Sequence, residues 1–233
     1  MTLDKFRPLA ERMLVPFVRA ADGLGLSPNG VSVLALVVSA AAAAGFVVGE
    51  PRWYAVGGAL VLLNGWLDLI DGALAREQGV ASKGGDLLDH VIDRYADLII
   101  IGGLAAGVEN FALGFLAVTG VLMTSYLGTQ IQAVGLGRAY GGLVGRADRL
   151  VLIALGGFVA AVVTGPVVVG YGVIELLLVF FAVVGHLTAL QRFWGAWADL
   201  EYQAGSTAHG LYRGDRNRRV CPNVRCVVLR SRR

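Results

Sequence analysis

Six apolar runs dominate the chain, at about 31–49, 53–76, 85–107, 110–135, 148–169 and 171–196. Each approaches the roughly 20 residues that a helix needs to cross a hydrocarbon core of about 30 Å. The pattern predicts an all-α, polytopic membrane protein with six transmembrane helices. Ahead of the runs, Phe6, Leu9, Met13, Leu14, Phe17 and Val18 recur at helical spacing opposite Lys5, Arg12 and Arg19. Residues 1–26 therefore read as an amphipathic helix, either lying on the cytoplasmic membrane face or packed on the protein's own surface. They carry charges throughout and lack the continuous apolar core of a secretory signal. Ser27-Pro28-Asn29 supplies a cap and a first-turn proline for the first spanning helix. From Gln203 onward the apolar pattern stops and a basic segment follows, read as a disordered tail. The expected organisation is a helix over 1–26, a membrane domain over 27–202 and a tail over 203–233.

Composition agrees. The chain is 56% hydrophobic and 16% charged, which excludes an ordinary soluble domain. Charge placement sets an expected orientation: with both termini cytoplasmic, 18 of the 20 Lys and Arg residues lie inside, Arg52 lies outside and Arg94 sits within a helix. Cys221 and Cys226 lack the spacing of a zinc pair. The basic tail is not read as a nucleic-acid site.

The chemistry lies between the second and third runs. DLIDGALAREQGVASKGGDLLDHVID places Asp68, Asp71, Asp89 and Asp93 in apolar surroundings. A carboxylate at a helix centre in the membrane costs about 2.5–3.5 kcal/mol, so four cost roughly 10 kcal/mol unless something neutralises them. Arg76, Lys83 and Arg94 are the only basic residues nearby. Hard divalent cations, which take oxygen ligands, are the natural counter-charge. Asp68 and Asp71 share one helix face, as do Asp89 and Asp93, and the loop GVASKGG lets the two faces meet.

The gapless pattern D-x2-D-G-x2-A-R-x8-G-x3-D-x3-D resembles the signature of the CDP-alcohol phosphotransferases, integral membrane enzymes of phospholipid synthesis. Asp68, Asp71, Gly72, Ala75, Arg76, Gly85, Asp89 and Asp93 occupy its fixed positions. The resemblance implies transfer of a lipid-phosphate from a CDP-linked lipid to a small alcohol, with release of CMP. On this reading Asp68, Asp71 and Asp89 hold Mg²⁺ or Mn²⁺, expected as two ions, and Asp93 shares them. Asp93 is also the candidate base for the acceptor hydroxyl. Gly72 and Gly85 allow close backbone approach, and in the family these positions, with Ala75, line the cytidine site. Arg76 can pair with the diphosphate. Ser82 either contacts the nucleotide or caps a helix.

Arg146 and Arg149, with Arg138 nearby, resemble the phosphate-binding basic pair of the inositol-phosphate-using branch. A polyol phosphate such as inositol 1-phosphate is the expected acceptor, with glycerol 3-phosphate or serine as alternatives. Gln130 and Gln132 depart from the bacterial members of that branch and resemble archaeal relatives. A homodimer in the cell membrane, with the active site facing the cytoplasm, is also implied. The reading from another class is a cation transporter using the carboxylates as a midplane site, but no internal repeat accompanies it. GxxxG spacings at 45–49, 102–107 and 141–145 are read as helix packing. His90 is read as a partner behind the metal ligands, and His186 and Glu175 as hydrogen-bonding groups.

Overall fold

Capping side chains and prolines set the helix starts. In the computed structural model, residues 7–137 and 144–212 are described, with side chains over 13–137 and 144–203. Arg138, Cys221 and Cys226 lie outside the described residues. Seven helices are found there: α1 (Arg7–Gly23), α2 (Pro28–Val47), α3 (Pro51–Glu77), α4 (Lys83–Gly107), α5 (Phe111–Ala133), α6 (Arg146–Val162) and α7 (Val173–Tyr212). Ser27 Oγ accepts from Gly30 N, Ser82 Oγ from Gly85 N and Asn110 Oδ1 from Leu113 N, which caps α2, α4 and α5. Asp148 Oδ2 accepts from Gly145 N at the start of α6.

The turn between α3 and α4 depends on a glycine. Gly79 sits at φ +67, and Val80 N donates back to Ala75 O at 3.1 Å, a left-handed helix stop that non-glycine residues adopt at a cost. This turn returns the chain so that α3 and α4 both pack on α2, and the carboxylates of Asp68, Asp71 and Asp89 meet near the turn.

All six apolar runs fall on α2 to α7. Four helices are long and apolar enough to cross a membrane: α2, α3, α5 and the Val173–Gln203 part of α7. The other two depart for identifiable reasons. α4 carries Asp86, Asp89, Asp93, Arg94 and Asp97, and α6 is only 17 residues long because Thr164-Gly165-Pro166 follows its end. Toward the C-terminus the backbone stays helical to Tyr212, past the expected boundary at 202.

The packing closes a ring. α2 packs on α3, α3 on α6, α6 on α7, α7 on α5, α5 on α4 and α4 on α2. Phe46, Val61, Ile100, Leu104, Val121, Ile153 and Leu178 fill its apolar part. In lipid, apolar contact with tails is nearly as good as contact with a neighbouring helix, so close backbone approach is what holds such a ring together. A Cβ on Gly103 would come within 2.7 Å of Ala43 O, one on Gly58 within 2.8 Å of Ala154 O, and one on Gly157 within 2.6 Å of Tyr54 O. Two of the three GxxxG spacings are thus used within the chain, through Gly45 against Trp53 and Gly57, and Gly103 against Ala43. Residues 141–143 of the third lie outside the described residues.

Outside the ring, α1 packs on α3. Leu14, Val18 and Ala21 are buried against Val31, Ile70 and Leu74. The structure thus supports packing on the protein's own surface, while Met13 and Phe17 on the same helix remain half exposed. Deeper in the ring, Asn64 Nδ2 donates to Ala35 O at 2.9 Å and Ser39 Oγ at 2.8 Å, tying α3 to α2.

The α3–α6 approach carries a stability prediction. Gly157→Leu forces side-chain volume against the Tyr54 carbonyl, an overpacking cost of about 1–3 kcal/mol. A lowered melting temperature in mild detergent is the expected result. An unchanged one would show that α6 can move away from α3 freely.

Candidate active site

The four motif aspartates converge, but not as one equivalent set. Asp68, Asp71 and Asp89 each offer one carboxylate oxygen, and those three oxygens lie within 4.8 Å of one another. Asp71 is 6% exposed and accepts from Ser32 Oγ at 2.6 Å, so α2 contributes the contact that orients it. Asp93 stands beside this trio, buried and facing arginines. Arg146 reaches across the ring from α6, with Nη1 2.7 Å from Asp68 Oδ1 and Nη2 2.8 Å from Asp93 Oδ1. Both contacts are ion pairs, and the second lacks hydrogen-bond alignment, since Asp93 Oδ1 has no hydrogen-bond partner. Arg94 Nη2 approaches Asp93 Oδ2 at 3.7 Å.

Three like charges so close are unfavourable without a counter-ion, and every donor atom in the trio is a carboxylate oxygen. The set fits a hard divalent cation and offers none of the sulfur or imidazole ligands of a softer one. His90 stays out of it: its Nδ1 faces Asp86 O at 2.7 Å, within its own helix.

Two cavities flank the carboxylates. The first, about 380 Å³, is lined by Ser32, Asp71, Gly72, Ala75, Arg76, Ser82, Gly85 and Asp89, among others. All five residues expected at the CDP-lipid site thus line one cavity. Neither Gly72 nor Gly85 has the positive φ that reserves a position for glycine. A Cβ on Gly72 would meet only Arg76 Nη1 at 3.5 Å, and one on Gly85 only Ser82 Oγ at 3.5 Å and Asn29 Oδ1 at 3.9 Å. The fold would accept side chains at both positions, so their absence serves the open space. Ser82 caps α4, and it also lines this cavity.

The second cavity, about 680 Å³, is lined by Asp93, Arg94, Ser125, Arg146, Arg149 and Arg192, among others. Arg146 and Arg149 are therefore together, but in different states. Arg146 bridges two motif carboxylates, whereas Arg149 is 5% exposed and donates from Nη2 to Asp97 Oδ2 at 2.6 Å. Arg192 donates from Nη1 to Thr124 O at 2.5 Å, and Arg94 pairs with Ser125. Gln130 and Gln132 are exposed. His186 Nε2 lies 3.4 Å from Thr119 Oγ1, and Glu175 accepts from Gly172 N at the start of α7, so both are hydrogen-bonding groups away from the carboxylates.

Sequence reasoning missed Ser32, Asp97 and Arg192, and it named Arg94 only as a basic residue near the carboxylates. For Asp97 a signal existed, since it continues the spacing of Asp89 and Asp93 by four residues on α4.

The family model for CDP-alcohol phosphatidyltransferase matches residues 26–197. The chain is 32% identical over 200 residues to an archaetidylinositol phosphate synthase of Methanothermobacter thermautotrophicus, covering 85% of this chain and 96% of that one. It is 34% identical over 203 residues to a phosphatidylinositol phosphate synthase of Streptomyces avermitilis, covering 82% and 80%. Among solved structures it resembles the phosphatidylinositol phosphate synthase of Mycobacterium tuberculosis with CDP-DAG bound, at TM-score 0.68 and 26% identity, covering 80% of this chain and 94% of that one. The same Mycobacterium tuberculosis enzyme in complex with manganese and citrate matches at TM-score 0.68 and 26% identity, over 79% and 88%. This chain belongs to the CDP-alcohol phosphatidyltransferase family and is a membrane transferase of phospholipid synthesis.

Proposed function

We propose that this chain transfers the lipid-phosphate of a CDP-linked lipid, CDP-diacylglycerol or CDP-archaeol, to a polyol phosphate such as inositol 1-phosphate, releasing CMP. One observation carries the reading: two cavities of different chemistry open onto one carboxylate cluster. The cavity containing Gly72, Ala75, Arg76, Ser82 and Gly85 suits a nucleotide diphosphate, and the arginine-lined cavity suits a second anion. An unphosphorylated acceptor such as serine would not call for that many arginines. The names of the archaeal and bacterial relatives support a phosphorylated inositol acceptor.

Asp68, Asp71 and Asp89 would hold Mg²⁺ or Mn²⁺, with Asp93 available to a second ion. A bound cation supplies charge neutralisation at the diphosphate. The residues of the chain do the rest. Arg76 grips the diphosphate, and Arg146 and Arg149 orient the acceptor phosphate, with Arg138 expected to assist. Asp93 accepts the proton of the acceptor hydroxyl as its oxygen attacks the lipid-bearing phosphorus. The bond from that phosphorus to the bridging oxygen breaks, and CMP leaves with the oxygen.

In this reading α2 to α7 all span the membrane, with α4 and α6 tolerated because their polar residues face the ring interior. Both termini and the carboxylates then face the cytoplasm, in keeping with the placement of basic residues. Two chains form a homodimer. Gly102, with open space where a Cβ would stand, leaves a small-residue position on the outer surface of α4.

The test is CMP release by the full-length protein in lipid nanodiscs, supplied with CDP-lipid and a panel of acceptors. Inositol 1-phosphate is expected to give the highest kcat/KM. Preference for glycerol 3-phosphate or serine would move the chain to another branch. Absence of CMP release with every acceptor would defeat the reading.

A further inference from the structure

α4 carries two carboxylates beyond those of the family pattern, the exposed Asp86 in its first turn and Asp97 in its interior. Asp97 lies one turn past Asp93 on the same face of α4 and is 2% exposed, more buried than any of the four motif aspartates. Two rungs therefore cross the ring from α4 to α6: Asp93 to Arg146, and Asp97 to Arg149. They are spaced by four residues on α4 and three on α6, so each rung occupies its own helical turn. Asp97 is absent from the lining of the arginine-rich cavity, yet two of the arginines that line it reach back to Asp97. Arg149 Nη2 is 2.6 Å from Asp97 Oδ2, and Arg94 Nη1 is 3.8 Å from the same oxygen.

The arrangement is costly for a purely structural pair. Burying two charges loses hydration on both, and an apolar pair of similar volume generally packs as well or better. The Nε–H of Arg149 is buried and has no partner, as is that of Arg146. An unmet donor on a buried guanidinium beside a cavity is a place for an anion. Arg94, Arg146 and Arg149 also repel one another; Asp97 contacts Arg94 and Arg149 through one oxygen, as Asp93 contacts Arg94 and Arg146 through its two.

We infer that Asp97 is a positioning residue for the acceptor. It fixes the Arg149 guanidinium through Nη2, draws Arg94 toward the same oxygen, and leaves the other Arg149 donors to a phosphate in the cavity. It touches neither substrate nor the carboxylate trio. The inference rests on the acceptor reading above and adds a residue to it.

The experiment compares wild type, Asp97→Asn, Asp97→Glu, Arg149→Gln and the Asp97→Asn/Arg149→Gln double variant, in nanodiscs with CDP-lipid, Mg²⁺ and inositol 1-phosphate. Asp97→Asn is expected to raise the acceptor KM about tenfold or more, the scale of one charge-assisted contact. The CDP-lipid KM is expected to stay within about twofold. The double variant should be no worse than Arg149→Gln alone, because residues acting through a single contact are not additive. Asp97→Glu, which keeps the charge, should recover part of the loss. If Asp97→Asn does not fold, the Asp97→Glu protein still reports whether the acceptor KM moves apart from the CDP-lipid KM. Multiplicative effects in the double variant, an equal rise in both KM values, or a lowered melting temperature with unchanged KM would each overturn the inference. Wild type that prefers serine defeats the acceptor reading itself, whereas wild type that uses inositol 1-phosphate with an Asp97-independent KM defeats only this inference.

Discussion

Asp68→Asn and Asp89→Asn are each expected to abolish CMP release, by about three orders of magnitude or more, and to remove metal binding without unfolding the protein. The size follows from charge. Three carboxylate oxygens within 4.8 Å act as one ligand set. Removing one charge takes a ligand from the cation and lowers the field that holds it. A cation at a transferring phosphate stabilises the transition state by several kcal/mol, and about 1.4 kcal/mol corresponds to tenfold in rate. The effect on folding has the opposite sign. Without a cation the trio repels itself, so Asp89→Asn relieves repulsion and should leave the melting temperature in chelator equal to or above that of wild type, whereas Asp68→Asn also gives up the ion pair with Arg146, which offsets that gain. Wild type is expected to gain stability with added Mn²⁺, because a ligand bound only by the folded state stabilises it by mass action. The variants should gain little. A thermal shift titration with Mn²⁺ therefore reads the site without turnover. CMP release that persists undiminished in excess chelator would end the metal assignment.

What could be read from the sequence divides along sequence separation. The carboxylate motif is local: its eight positions lie on two adjacent helices joined by the turn at Gly79, so spacing alone predicts that the faces meet. The partners of those carboxylates are remote. Arg149 and Asp97 are 52 residues apart, and Arg192 reaches a carbonyl 68 residues away. Helical periodicity does not say which of six helices becomes a neighbour. Ser32, whose hydroxyl orients Asp71 across 39 residues, looks like any small residue in an apolar run. Element identity was legible for α2 to α7 because long apolar runs leave few alternatives, but the end of α6 was not. The apolar stretch continues through residue 169 while the helix stops at Val162, where Gly165 and Pro166 outweigh hydrophobicity. α1 shows a further limit. An amphipathic face records that something apolar lies against it, and Leu14 and Val18 turned out to face the protein's own α3.

Arg146→Lys is expected to raise the acceptor KM about tenfold and to lower kcat, while Arg52→Lys changes neither. Arg52 is exposed and pairs with Glu50, far along α3 from the carboxylates. It therefore serves as a control for a conservative change at a surface arginine. Arg146 does something that a lysine cannot. Its two terminal nitrogens reach Asp68 and Asp93 at once, at 2.7 and 2.8 Å. A guanidinium presents a rigid fork, whereas an ammonium is a point charge on a flexible stem and can sit well against only one of the two. The substitution keeps the charge and hence the inside-positive bias, so topology is held constant. What it would lose is the fixed spacing between Asp68 and Asp93, the candidate cation ligand and candidate base, and on the proposed reading the two-pronged grip on the acceptor phosphate. A charge-assisted contact is worth about 1.5–3 kcal/mol, or roughly ten- to a hundredfold. The CDP-lipid KM should stay nearly constant, because Arg146 lines the second cavity and not the first. Kinetics in both substrates for wild type, Arg146→Lys and Arg52→Lys decide the matter. An acceptor KM unchanged by Arg146→Lys would leave Arg146 as a counter-charge for Asp68 and Asp93 alone, and the acceptor site would have to be sought among Arg94, Arg149 and Arg192.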